Sequence, residues 1–301
     1  MDLRAGERPG EVEMAYKIAT DSGCDVFPSV LEEWGVVSAD LTFRFDGDEK
    51  EYTNREMNSS EFYARMKAGG ISKTSAVNLD AFLAMFRPVL EAGQDLLYIG
   101  FDSGISSTSQ TGIMAARELQ EAFPERTIIA IDTLCASGGQ GLVVWEAVQK
   151  QREGVGIEEN AAFIRELCPK ICQWFTVDDL MYLKRGGRVS AAAAFAGNLL
   201  NIRPILHVDD EGKLINMAKA HGRKASITAL VREYMKRISD PVKGTPYFIN
   251  QGDCLKDAEL LESMIAEKTG RKAEFIMDIG PVIGSHTGPG ILALFFEGTE
   301  R

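Results

Sequence analysis

The clearest pattern of apolar and polar positions lies between Asp95 and Phe123. A short apolar run, 96–101, is typical of a buried strand, and apolar residues recur at helical spacing from Ile113 onward. Ser107 and Gln110 have the spacing of a capping box, which predicts that the helix begins there. The hydroxyl-rich turn between strand and helix should lie at the carboxyl edge of an α/β sheet, where ligands usually bind. Its N–H groups and hydroxyls suit an anion, although an ordinary well-capped turn would have the same pattern.

The first half of the chain repeats this alternation of strand and helix. Further strands are predicted at 15–20, in two pieces at 36–45, and at 127–132, and a polar hairpin is predicted at 45–52. Helices are predicted after Pro28, from Ser59 or Ser60 to Lys67, from Asn78 to Glu91, and from the glycines at 138–141. Such alternation favours a mostly parallel sheet covered on both faces, a three-layer α/β/α arrangement.

The second half contains a hairpin, at 205–218 with its turn at 210–212, among further strands and helices. The other predicted elements are helices at 157–167, 191–200, 226–238 and 255–268, and strands at 174–177, 247–250, 274–279 and 291–296. A hairpin within an α/β pattern predicts a mixed sheet. We therefore predict a disordered leader at 1–13, an N-terminal α/β domain at 14–160 and a C-terminal α/β domain with a mixed sheet at 161–301.

Charge and composition exclude several classes of protein. The 301 residues carry 33 basic and 44 acidic side chains, a net charge of −11, whereas a nucleic-acid binder needs a basic stripe. No apolar run approaches the roughly 18 residues of a transmembrane helix. The five cysteines are scattered, without a CxxC pair or a neighbouring cluster of histidines, so we expect reduced thiols, no metal site and a cytoplasmic location.

Motifs of common enzyme classes are missing from the sequence, which has no GxxxxGK[ST], no GxGxxG after a strand and no GxSxG. The remaining candidate chemistry consists of three hydroxyl-rich turns, at 21–23, 73–75 and 103–109, and of His286. The glycines and the proline around His286 predict a tight loop that leads into a buried strand. Such a histidine could reach into a cleft, but a turn histidine facing water would have the same pattern.

Seven motifs in order resemble those of the DegV family. They are IATDSGCD (18–25), KTSAVN (73–78), DSGISSTSQTG (102–112), AIDTLCASGGQG (130–141), VDDLMYLKRGGRVS (177–190), RPIL (203–206) and HTGPGILALFF (286–296). The resemblance extends from Met14 to Gly298, and LKRGGR and HTGPG are its most specific parts.

This resemblance implies two α/β domains with an apolar tunnel between them. The tunnel would bind one long-chain fatty acid, such as palmitate, stearate or oleate, without a cofactor or metal. Carried over position by position, the resemblance assigns the carboxylate site to Thr74, Ser75, Ser103, Gly104 and His286. The apolar segments 191–200 and 279–283 are candidates for the tunnel wall, although plain core would explain any single residue of them more simply.

The resemblance also implies a partner, the catalytic subunit of a fatty acid kinase that converts the bound fatty acid to an acyl phosphate. Lys184, Arg185 and Arg188 surround a Gly-Gly turn and form a positive patch on an acidic protein. This patch could bind the ligand head group or the partner, although basic residues at a solvated helix end would look the same. Transient membrane contact is compatible with this role.

Asp102 stands where the family has a serine that faces the ligand. Because an ionised carboxylate would repel a fatty acid, we expect Asp102 to point away or to be paired. The alternative function is a stand-alone hydrolase in which His286 activates Ser103. No carboxylate is obviously spaced to orient His286 in that scheme, although Asp21 or Asp102 could serve. We therefore expect a non-catalytic lipid-binding subunit.

Overall fold

A computed structural model describes residues 16–189 and 201–301 of the chain. The predicted leader at 1–13 and the predicted small-residue helix at 191–200 lie outside the described residues. Within the described residues the strands form three sheets, of four, six and three strands. The two larger sheets correspond to the parallel and the mixed sheet that the sequence predicts.

The first sheet has four parallel strands. In spatial order they are Val37–Ala39 (β2), Tyr16–Asp21 (β1), Asp95–Gly100 (β6) and Ile128–Asp132 (β7). Leu97 and Ile99 of β6 join one apolar cluster and Leu96 and Tyr98 the other, because successive side chains of a strand point to opposite faces. The helices on one face are Leu79–Glu91 (α3) and Thr108–Ala122 (α4), and those on the other are Gly138–Arg152 (α5) and Ile157–Leu167 (α6). The three-layer prediction is confirmed.

A small antiparallel sheet follows the first parallel strands in the chain. It consists of Tyr52–Thr53 (β4), Thr42–Phe45 (β3) and Ser72–Ser75 (β5), in that spatial order. The helices Pro28–Glu33 (α1) and Ser59–Lys67 (α2) lie in the same part of the chain. The carboxamide of Asn58, and not Ser59 or Ser60, caps α2 by accepting from the N–H of Glu61 at 2.9 Å. Asn78 caps α3 in the same way, as predicted.

The largest sheet is mixed. In spatial order its strands are Leu214–His221 (β10), Ile202–Val208 (β9), Ile171–Thr176 (β8), Leu292–Glu297 (β13), Tyr247–Gln251 (β11) and Phe275–Asp278 (β12). Only β11 and β12 are parallel; β9 and β10 form the predicted hairpin. The helices Arg223–Arg237 (α8) and Leu255–Thr269 (α9) cover one face, and Met181–Arg185 (α7) and Pro281–Thr287 (α10) lie in the connections.

Helix α5 lies between the two large sheets. It contacts β1 and β6 of the parallel sheet and β8, β11 and β13 of the mixed sheet. Its apolar side chains, including Val143 and Val144, belong to one cluster with residues of both sheets. The domain boundary at 160 stays a prediction, since this cluster spans both halves of the chain although the second half also has an apolar cluster of its own.

Helix α4 begins where predicted, since Ser107 directly precedes its first residue. Two details of the local predictions are wrong. Ser107 makes no side-chain cap at the start of α4; instead, Ser106 Oγ accepts from the N–H of Thr108 at 3.2 Å. His286 lies in the last turn of α10 and not in a loop. The sequence suggested a loop because of its glycines, but Gly284 is needed for packing, since a Cβ there would lie 2.7 Å from Tyr63 Oη.

Candidate functional site

A cavity of about 290 Å³ lies between the first part of the chain and the inner face of the mixed sheet. This volume is close to the lower end of the range for small-molecule sites. Most of the wall is apolar, with Phe101, Ile105, Phe175, Val208, Ile283 and Ala293 among its residues. The lining also contains Arg188 and His286, but none of the described lining residues is Asp or Glu. The part of the cavity wall that the structure describes is therefore apolar, with one cationic side chain and no carboxylate.

Thr74 and His286 meet at the cavity although they are 212 positions apart in the chain. Thr74 Oγ1 lies 2.8 Å from His286 Nε2, so the hydroxyl either donates to or accepts from the imidazole, depending on its tautomer. A second hydroxyl contact, from Ser285 Oγ to Ser72 Oγ at 2.8 Å, fastens α10 to the same strand, β5. These two contacts fix the imidazole against the strand.

The neighbours of Thr74 on β5 point away from the cavity. Lys73 forms an exposed ion pair with Asp46, and Ser75 Oγ donates to the carboxylate of Glu51 at 3.3 Å. This arrangement follows from the two-residue period of a strand, which puts Ser72 and Thr74 on one face and Lys73 and Ser75 on the other. The structure thus brings Thr74 to the cavity with His286, but not Ser75.

The basic turn divides its charged residues between the cavity and the surface. Arg188 lines the cavity, where its Nε donates to the carbonyl of Ile105 at 3.2 Å and Nη1 donates to the carbonyl of Gly186. Lys184 and Arg185 are exposed on α7, and the guanidinium of Arg185 lies 5.4 Å from the centre of the Tyr182 ring. We use the name polar cluster for Thr74, Arg188 and His286.

The turn after β6 packs against the hairpin of the mixed sheet. Asp102 Oδ1 accepts from the N–H of Gly104 at 2.8 Å, and the Ser103 N–H donates to Asp132 Oδ1 at 3.3 Å. A Cβ on Gly104 would lie 2.6 Å from the carbonyl oxygen of Glu211, so the hairpin tip covers this turn. Asp102, Ser103 and Gly104 are not among the described residues that line the cavity.

Ser106 and Ser107 line the cavity in place of Ser103. They directly follow Ile105, whose carbonyl accepts from Arg188. The sequence marked the whole run 103–109 as rich in hydroxyls, but only the observed path of the chain distinguishes its members. The tip of hairpin β9–β10 determines that path, since it occupies the space in front of Asp102 and Gly104.

Burial and charge together determine the protonation of the polar cluster. Burial, with a smaller effect of the nearby Arg188 charge, lowers the pKa of His286 to about 4. Burial also lowers the pKa of Arg188 from its ordinary value. At neutral pH the imidazole is therefore neutral and the guanidinium supplies the positive charge. His286 Nδ1 is buried and has no hydrogen-bond partner among the described residues.

A buried carboxyl group ties three segments together beside the cavity. Asp25 Oδ2 accepts from the hydroxyl of Ser137 at 2.6 Å, and Oδ1 accepts from the N–H of Gly280 at 3.0 Å. Burial raises the pKa of Asp25 to about 7. Because Ser137 lines the cavity and Gly280 precedes α10, this carboxyl group links the wall of the cavity to the helix that carries His286.

Among the described residues, no group of three or more His, Cys, Asp or Glu side chains could hold a metal ion. No helix there is both long enough and apolar enough to cross a membrane.

Comparison with known proteins gives a consistent family. A family model described as "Uncharacterised protein, DegV family" matches residues 15–299. A DegV domain-containing protein of Clostridium perfringens is 41% identical over 287 residues, which cover 95% of this chain and 98% of that protein. The family model and the Clostridium relative therefore both match nearly the whole sequence.

Solved structures have the same fold. A DegV family protein from Thermus thermophilus, described as fatty-acid binding, has a TM-score of 0.83 at 27% identity and covers 95% of this chain and 100% of its own. A stearic-acid-binding protein from Eubacterium ventriosum has a TM-score of 0.84 and covers 94% of this chain and 98% of its own; at 23% identity its likeness shows the fold alone. From the family match and the Clostridium relative together, we conclude that this chain belongs to the DegV family.

Proposed function

We propose that this protein binds one long-chain fatty acid in the cavity, with the carboxylate at the polar cluster and the alkyl chain along the apolar wall. The observation that carries the proposal is the composition of the cavity, which has apolar walls, one arginine and no carboxylate among its described lining residues. An anionic amphiphile matches both parts of such a space. The relative from Thermus thermophilus, whose description names fatty-acid binding, supports the same ligand class.

The alkyl chain supplies most of the binding free energy in this proposal. About 15 methylenes at about 0.8 kcal/mol each would contribute about 12 kcal/mol before the costs of binding. A single hydrogen bond to a charged group contributes about 1.5–3 kcal/mol. The polar cluster therefore mainly orients the ligand, so that the carboxylate and not the methyl end meets Arg188.

Each member of the polar cluster has a separate task in the proposed complex. Arg188 supplies the positive charge and two-pronged donors that suit a carboxylate. Thr74 can donate its hydroxyl to the carboxylate while it accepts from His286 Nε2. This assignment keeps Thr74 and His286 from the set implied by the family resemblance, adds Arg188 from the basic turn, and replaces Ser103 by Ser106 and Ser107.

We further propose that the bound carboxylate is presented to a separate kinase that forms the acyl phosphate. The exposed Lys184 and Arg185 support this part, since they stand on the outer side of the turn whose Arg188 faces the ligand. A positive surface there would attract an acidic partner or a nucleotide phosphate. The cytoplasmic location belongs to this part of the proposal, since a nucleotide-using kinase would meet its carrier there.

The hydrolase alternative receives no support from the geometry of the cavity. A serine hydrolase needs a third group to orient the histidine that activates the nucleophile. The remaining nitrogen of His286, Nδ1, has no hydrogen-bond partner among the described residues. Asp21, one candidate orienting group, accepts instead from Tyr98 Oη at 2.8 Å and from the N–H of Phe101 at 3.0 Å.

The proposal is tested by organic extraction of the purified protein followed by mass spectrometry, and by titration of delipidated protein with stearate. We expect one fatty acid per chain in both experiments. If neither finds stoichiometric lipid, the binding proposal is wrong. The kinase step is tested separately, with purified kinase and ATP: Arg185→Ala should slow acyl phosphate formation more than it weakens lipid retention, and turnover of an acyl ester without any partner would favour a hydrolase.

A further inference from the structure

The Gly-Gly turn after α7 is closed by three backbone hydrogen bonds. The N–H groups of Gly186, Gly187 and Arg188 donate to the carbonyls of Tyr182, Lys184 and Leu183 at 2.9, 3.0 and 3.0 Å. These bonds reverse the chain at the end of the helix and send Arg188 back towards the cavity. The turn thus determines where the guanidinium of the polar cluster stands.

The two glycines of this turn are required for different reasons. Gly187 has a φ of +73°, a left-handed conformation that favours glycine, and a Cβ there would meet nothing within 4 Å. Gly186 has a φ of −70° and a ψ of −11°, which any residue adopts easily. A Cβ on Gly186, however, would lie 2.2 Å from His286 Nδ1. Only the imidazole therefore requires glycine at position 186.

Gly186 contacts two members of the polar cluster, Arg188 and His286. The carbonyl of Gly186 accepts from Arg188 Nη1, and the open side of its Cα receives the His286 ring. On its far side the ring contacts Thr74 Oγ1 at 2.8 Å. The imidazole is thus held between a hydroxyl and a glycine, with no room to move towards α7.

We infer that Gly186 is a positioning residue, which lets His286 reach Thr74 and stand beside Arg188 in a site for a carboxylate. The inference rests on the proposed function for its ligand. An alanine at this position would have to move at least one partner, because the distance of 2.2 Å to Nδ1 must increase to at least 3.4 Å for ordinary contact. Such a shift breaks a hydrogen bond of 2.8 Å or turns the 186–188 segment away from the cavity.

The test is a double-mutant cycle with Gly186→Ala and His286→Ala, singly and together. Binding of stearate and of methyl stearate is measured by calorimetry on delipidated protein. Gly186→Ala should weaken stearate binding by about tenfold or more and change methyl stearate binding by less than about twofold, because only the acid depends on the polar cluster. Gly156→Ala is the matched control, since Gly156 also has a negative φ, −69°, and a Cβ there would meet nothing within 4 Å.

The decisive comparison uses the His286→Ala background, in which the clash is absent. There, Gly186→Ala should have no further effect on stearate affinity or on the melting temperature. Wild-type affinity in Gly186→Ala, or an equal loss in both backgrounds, would overturn the inference. If Gly186→Ala alone does not fold, the double variant should fold like His286→Ala, and its failure to do so overturns the inference. The melting comparison needs no ligand, whereas a wild-type protein that binds no stearate counts against the proposed function alone.

Discussion

The polar cluster and the apolar wall of the cavity differ in how many residues the chain contributes to each. The polar cluster takes single residues from three distant segments, β5, the turn after α7, and α10. The apolar wall takes many residues from strands, turns and helices, including Phe175 of β8, Ile105 of the turn after β6 and Ile283 of α10. In the proposed complex, many residues would each contribute a small part of the contact with the alkyl chain. Each member of the polar cluster would make a contact that no other residue replaces. Changes to the two regions should therefore be distinguishable with an acid and its methyl ester.

The largest effect should come from filling the apolar wall. Ala293 lies on β13 and lines the cavity, so Ala293→Phe would occupy space that the alkyl chain needs. If about four methylenes are displaced, stearate affinity should fall by about 200-fold, since each contributes about 0.8 kcal/mol. Methyl stearate should be affected equally. The measurement is calorimetry with a series of acids, and an unchanged preference for long chains would show that Ala293 is not beside the ligand.

The next effect should come from removing the positive charge of the polar cluster. Arg188→Met keeps the apolar stem but loses the guanidinium, so stearate affinity should fall by about 10- to 100-fold, the loss of one charge-assisted contact. Methyl stearate affinity should change little. Arg185→Met is the matched control, because it removes an exposed arginine from the same turn. Equal losses in the two variants would mean that overall charge, and not the cavity, selects the acid.

A smaller effect should distinguish the two faces of β5. Thr74→Val removes the hydroxyl beside His286 and should weaken stearate binding by about five- to tenfold, equivalent to about 1 kcal/mol. Ser75→Ala should leave affinity unchanged, because its hydroxyl contacts Glu51 outside the cavity. The pair is compared by titration under one set of conditions. A loss in Ser75→Ala as large as that in Thr74→Val would place the carboxylate on the opposite face of the strand.

The smallest effect should be a dependence of affinity on pH. His286 is neutral in the empty site, with a pKa of about 4, and a bound carboxylate would raise that pKa because it stabilises the charged imidazole. Binding then takes up protons, so stearate affinity should rise by a few-fold as the pH falls from 7 to 5. His286→Ala measured over the same range corrects for protonation of the acid itself. If the two profiles coincide, the imidazole does not contact the carboxylate.

The fold could be predicted because it depends on patterns that repeat along the chain. The run at 96–101 is apolar because both faces of β6 are covered by helices. The segment 210–212, Asp-Glu-Gly, has residues typical of the turn that joins two antiparallel strands, here β9 and β10. The resemblance then pointed to Thr74, His286 and the basic turn, and Thr74, His286 and Arg188 line the cavity. In contrast, the sequence does not show that Ser75 faces Glu51. Which side chains of the four-residue strand β5 share a face depends on where its pairing with β3 begins.

Other parts of the site depend on contacts that no local pattern contains. Ser106 and Ser107 line the cavity in place of the expected Ser103 because the hairpin tip packs on the 102–104 turn. That tip is more than 100 positions away in the chain. The helical position of His286 was hidden because Gly284 indicates a loop when read alone. Its actual role, close packing against Phe62 and Tyr63, requires a helix of the first half of the chain to lie beside it.

The hydrogen bond between the Asp25 carboxyl group and the N–H of Gly280 limits how early the cavity can form during synthesis. These residues are 255 positions apart, so at about 5–20 residues per second a ribosome would need roughly 13–51 s to synthesise the second after the first. Until then Asp25 lacks its contact with Gly280, and the helix that carries His286 does not yet exist. The nascent chain can form its parallel strands early, but the cavity closes only when nearly the whole protein has emerged. A fatty acid bound as proposed would therefore stabilise finished chains and not unfinished ones.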